Sequence, residues 1–112
     1  MGGKWAEERI SERIPISAPA TLKWGQEEFS GFVEVINLAG IYVAASRVPE
    51  LGDYVDLIFS LPGDRRSFRV RGNVVFVDPS TTRAPHAPGF GARFERPPVT
   101  LLDAIRDLDR GH

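Results

Sequence analysis

The side chains with most to offer a ligand are arginines, and they fall into two groups. Arg9 and Arg13 are separated by Ile10, Ser11 and Glu12 in the run RISER, and Pro15 follows. The proline disfavours helix at Ile14, so this segment is extended or turn-like. Two guanidiniums at this spacing can grip phosphates bidentately and stack on purine faces. They suit plain pairing with Glu7, Glu8 or Glu12 in water equally well. Arg65, Arg66, Arg69 and Arg71 form the second group, alternating with Phe68 and Val70. Strands that bind single-stranded nucleic acid look like this, and so does any half-exposed strand. Net charge is −1, from 14 basic and 15 acidic residues. No overall basic field recruits nucleic acid, so a local patch would have to do it.

Catalysis has little to work with. Of the two histidines, His86 sits in a proline-rich loop and His112 is the last residue. Neither has a second ligand at metal spacing. Ser46 and Ser60 lack a nearby base or an elbow motif. Asp53 reads as a loop residue and Asp56 as a solvated strand residue. A catalytic site needs a nucleophile, a base and an orienting group together, so the chain reads as no enzyme, with no metal and no cofactor. It has no cysteine, which excludes a disulfide framework and thiol chemistry and fits a reducing compartment. No glycine-rich phosphate loop opens a helix; Gly63, Gly89 and Gly91 read as strand-end glycines. The charged N-terminal run has no apolar core, so no signal peptide is read, and every apolar stretch is too short to span a membrane.

The elements that must position the arginines are strands. Nine prolines and eleven glycines in 112 residues favour many turns and an all-β layout. The central stretch, 33–46, reads VEVINLAGIYVAAS: two β-branched, aromatic strands joined by a short turn. In that turn Asn37 tolerates left-handed angles and Gly40 is free to adopt them. Strands are expected at about 16–24, 29–36, 41–45, 54–61, 67–77 and 90–95. Pro19 argues for an edge or bulge in the first strand and Gly72 for a bulge or bend in the fifth. Residues 25–28 form a hairpin turn and 78–88 a polar loop. After Pro97-Pro98 comes a helix with Leu101, Leu102, Ile105 and Leu108 on one stripe, ended by Gly111. Asp103 with Arg106 and Asp107 with Arg110 sit on its wet side. Six such strands closed by a helix make a small antiparallel barrel. Residues 1–8 read as a flexible lead-in and 9–112 as a single domain.

The order of these pieces resembles a PilZ domain: RISER, the strand–turn–strand beginning Asn37-Leu38, DLIFSLPG, RVRGNVVFV, then PGFGARFE and a helix. The resemblance implies an all-β, six-stranded antiparallel PilZ-like β-barrel with a C-terminal α-helix. It also implies a bacterial, cytoplasmic protein concerned with the second messenger cyclic di-GMP. The family's first motif is two arginines separated by three residues, and Arg9 and Arg13 match it. The second is Asp or Asn, any residue, Ser, any two residues, Gly. Asn37 matches. Ala39 stands where serine is expected, and Tyr42 where glycine is. Alternatively Gly40 is the motif glycine in a loop two residues shorter. On either alignment the motif is degenerate at Ala39, Gly40 and Tyr42.

Two readings follow from the resemblance. In one, the chain is an adaptor in motility-type regulation that contacts another protein and binds cyclic di-GMP weakly or not at all. In the other, Arg9, Arg13 and Asn37 still hold the messenger. A third, outside the family, is a nucleic-acid-binding barrel using Arg65, Arg66, Arg69 and Arg71. Under the adaptor reading the candidate contacts are Trp5, Trp24, Phe29 and Tyr42. Of these, Tyr42 lies beside the altered turn, while Trp24 and Phe29 read as buried. As a lone domain the chain would act in trans.

Overall fold

The apolar alternation becomes six antiparallel strands and one helix in a computed structural model that describes residues 13–78 and 88–110. In chain order the elements are β1 (Ile14–Trp24), β2 (Glu27–Ile36), β3 (Gly40–Ala44), β4 (Tyr54–Phe59), β5 (Phe68–Asp78), β6 (Gly89–Glu95) and α1 (Val99–Arg110). Neighbours run β1-β2-β3-β6-β5-β4, and β4 pairs back onto β1, closing the barrel. Two three-stranded meanders are therefore joined along both edges, and residues 45–53 carry the chain between the non-adjacent strands β3 and β4. Closure leaves the valine- and phenylalanine-rich strands no long open edge. This is the six-stranded barrel with a C-terminal helix that the resemblance implied. Trp5, Arg9, the 1–8 lead-in, His86, His112 and Gly111 lie outside the described residues.

Inside the barrel, Leu22, Val33, Ile36, Val43, Val55, Leu57 and Phe90 are fully enclosed. In β4 Val55, Leu57 and Phe59 face inward, and Asp56 and Ile58 are half-exposed. The helix adds Leu101, Ala104 and Ile105 to the same core. Leu102 and Leu108 on the expected stripe are only half-buried. Its wet side carries the expected pairs, Arg106–Asp103 at 3.3 Å and Arg110–Asp107 at 3.9 Å. Exposed pairs of this kind add only a few tenths of a kcal/mol.

Several local expectations change. The first hairpin is tighter than a four-residue turn: Trp24 pairs with Glu27 across Gly25-Gln26, and Gly25 has φ 63°. A positive angle at the first central residue is the type II′ pattern, whose twist matches the flanking strands. In β5 the irregularity is not at Gly72. It lies between Val74 and Phe76, and Gly72 is buried where a Cβ would stand 2.9 Å from the Ala92 side chain and 3.0 Å from Leu57. The β1 irregularity falls between Pro15 and Ala18, just before Pro19. β4 joins β1 only from Ala20 onward, so Pro19 stands where one side of β1 has no strand beside it. Gly89 opens β6, at a strand end as expected, whereas Gly91 lies inside the strand.

Candidate functional site

The turn between β2 and β3 is built by Asn37. Ile36 and Ile41 are the last cross-strand pair before it. The Asn37 Oδ1 accepts from the N–H groups of Ala39 and Gly40, each at 2.8 Å. The Asn37 N–H donates to the Gly40 carbonyl at 2.9 Å, and the Ala39 carbonyl accepts from the Phe94 N–H at 2.9 Å. This is an Asx turn, in which a side-chain oxygen stands in for a backbone acceptor. Positive φ is found at Gly25, Gly52, Gly63 and Arg96. Neither Asn37 nor Gly40 uses the left-handed freedom that its residue type allows. β3 begins at Gly40, and Tyr42 pairs with Val35 and Gly91 inside it. Replacing Asn37 by alanine should cost about 1–2 kcal/mol, because two N–H groups lose their acceptor. Asn37→Asp, which keeps the acceptor, should stay within about 0.5 kcal/mol of the wild type. Chemical denaturation of both variants measures the difference.

Strand order seats two cations on either side of this turn. Ile14 pairs with Ile36, so Arg13 stands beside Asn37 from the β1 side. Gly40 pairs with Arg93, which comes from the β6 side. Between them opens a groove of ≈ 760 Å³ lined by Arg13, Asn37, Ala39, Gly40, Tyr42 and Arg93, with Val35, Val75, Phe76 and Gly91. Arg13, Asn37, Ala39, Gly40 and Tyr42 are thus brought together at one site; Arg9 falls outside the described residues. The size is that of a small-molecule or peptide pocket.

Tyr42 does not stand over the turn. A Cβ on Gly89 would meet the Tyr42 hydroxyl at 2.5 Å, so the ring lies across Gly89. Burial pushes the Tyr42 phenol up, and the nearby charges of Asp78 and Glu34 add to this. Its ring meets that of Phe76 with centroids 6.3 Å apart. Phe76 and Val75 are 54% and 52% exposed. The irregularity between Val74 and Phe76 leaves Val75 without a partner on β6, and both residues turn outward. Sequence reading missed Arg93, Val75 and Phe76. Alternation carried straight on from Phe68 and Val70 turns Phe76 inward, and only the extra residue reverses it.

Three members of the second arginine group, Arg66, Arg69 and Arg71, are engaged locally. Arg66 donates to Asp64 at 2.7 Å from its guanidinium and at 2.9 Å from its backbone N–H. The guanidinium first, then the backbone, hold the Asp64 carboxyl down at about 2. Arg69 meets Asp56 at 3.3 Å, and Arg71 lies 4.7 Å over the Tyr54 ring. Trp24 and Phe29, read as buried, are half-buried and stack with centroids 4.4 Å apart, with Arg47 4.7 Å over Phe29. A second cavity of ≈ 270 Å³ lies between α1 and the β4–β5 turn, lined by Leu61, Pro62, Asp64, Ala104 and Asp107 among others, and holds no motif residue. Among the described residues no cluster of His, Asp or Glu is placed to hold a metal ion. No helix among them is long and apolar enough to cross a membrane.

A family profile for the PilZ domain matches residues 7–108. The chain belongs to the PilZ family. The groove of this PilZ domain holds Arg13 beside the Asn37 turn. Among solved structures the fold is similar to that of the Bacillus subtilis inhibitor of motility, MotI/DgrA, with a TM-score of 0.74 and 15% identity. The match covers 91% of this chain and 52% of that one, so this chain spans about half the neighbour's length. At that identity the likeness concerns the fold alone. The comparison with curated proteins found no match.

Proposed function

We propose that this PilZ domain is a non-enzymatic signalling adaptor that works by contact with another protein and binds cyclic di-GMP weakly or not at all. The observation that carries this reading is the chemistry of the turn at 37–39. Asn37 commits its Oδ1 to two backbone N–H groups, and Ala39 presents a methyl where the family motif has a serine hydroxyl. A guanine edge facing that methyl loses a hydrogen bond worth about 1–3 kcal/mol, or roughly ten- to a hundredfold in affinity. Gly40 opens β3 directly after the turn. This supports the alignment with a loop two residues shorter, which has less backbone to wrap a base. Regulation of motility is the setting suggested by the MotI/DgrA fold. One observation favours the second reading, a cyclic di-GMP receptor using Arg9, Arg13 and Asn37: Arg13 stands in the groove beside Asn37.

Calorimetric titration with cyclic di-GMP separates the two, with an Arg9→Ala/Arg13→Ala double mutant as control. The adaptor reading expects no heat and no shift of the melting temperature at high ligand concentration. Micromolar or tighter binding that the double mutant loses would overturn it, since ligand at a hundred times its Kd raises stability by about 2.7 kcal/mol.

A further inference from the structure

Two groups of side chains in the groove remain without a use under the adaptor reading. Arg13 and Arg93 flank the Asn37 turn from opposite sides, and neither makes an ion pair with a described residue. Past Arg93, on the β5 side, the groove wall is apolar. Val75 and Phe76, consecutive in sequence, are both more than half exposed, because the β5 irregularity turns both outward instead of one. Such bulges re-aim side chains and are built features rather than defects. The floor at Gly91 is bare backbone.

We propose that this groove is a docking site for a segment of a partner protein in which a carboxylate lies close to an apolar or aromatic side chain, the carboxylate meeting Arg13 and Arg93 and the apolar group packing on Val75 and Phe76. The occupant follows from charge and shape. Two guanidiniums on the rim match carboxylates, which they grip bidentately. The exposed apolar pair supplies the buried contact that holds such a segment. This proposal rests on the adaptor reading and names its partner class.

The test is selection of a displayed random-peptide library on the full chain, followed by fluorescence anisotropy with a synthetic peptide of the selected consensus. The expected pool is enriched in Asp or Glu within a few residues of Phe, Leu or Trp. Two variants locate the contact. A Cβ on Gly91 meets Phe76 at 3.5 Å, an ordinary contact, so Gly91→Ala raises the floor without a clash and should keep a melting temperature close to the wild type. It should weaken peptide binding severalfold, and Arg93→Glu should weaken it at least tenfold. A pool without carboxylates, or binding that neither variant weakens, would overturn the proposal. Its failure is distinct from failure of the adaptor reading, which falls only if cyclic di-GMP itself binds in the titration above.

Discussion

Phe90→Ala should lower the stability of the domain by about 3–5 kcal/mol, the usual cost of emptying a phenylalanine site that cannot collapse. Phe90 is the largest fully enclosed side chain of the barrel. It sits on β6 between Gly89 and Gly91, and pairs with Val43 on one side and Val77 on the other. The glycines bring no side chains with which to fill the gap, and both neighbouring strands are held in a closed ring. A domain of this size has only about 5–15 kcal/mol in total. The melting temperature should therefore fall by about 15 °C or more. Phe90→Leu, which keeps most of the volume, should lose less than half as much. Denaturant unfolding of the two variants measures this. A loss below about 1 kcal/mol for Phe90→Ala would mean that β6 moves inward, and the groove floor at Gly91 would move with it.

The strands were legible because their chemistry is local. Valine, isoleucine and phenylalanine at alternate positions, cut by Gly25, Pro49 and Pro62-Gly63, mark six runs within a residue or two of their observed bounds. Which strands touch was not legible, since β3–β6 and β4–β1 pairing is not written in any short window. The irregularities were not legible at all. One extra residue on β5 decides whether Phe76 is core or surface, and nothing in GNVVFVD says where the extra residue lies. The site was legible to the same extent. Arg13 and Asn37 could be named because each sits in a motif. Arg93 occupies one of several outward positions in GFGARFE, and becomes a neighbour of the turn only through its pairing with Gly40.

Gly40→Ala should cost about 3 kcal/mol, at the upper end for overpacking, and for a reason different from the one its place in the sequence suggests. A glycine after Asn-Leu-Ala invites a left-handed angle, yet positive φ is found at other residues. A Cβ there would instead run into the carbonyl oxygen of Ala92, with the Ala92 carbonyl carbon and the Arg93 Cα each 3.3 Å away. These are backbone atoms of the paired strand, so they cannot rotate aside as a side chain would. Relief requires β3 and β6 to separate at the pair that seats Arg93 next to the turn. Gly25→Ala is the contrasting case. Gly25 has φ 63° but open space around its Cβ position, so alanine there pays only the left-handed penalty of about 1–2 kcal/mol. Chemical denaturation of the two variants side by side should therefore rank Gly40→Ala as the more damaging. If Gly40→Ala cost no more than Gly25→Ala, the close approach of β3 to β6 would not be what demands glycine. The placement of Arg93 would then have to depend on some other feature of the turn.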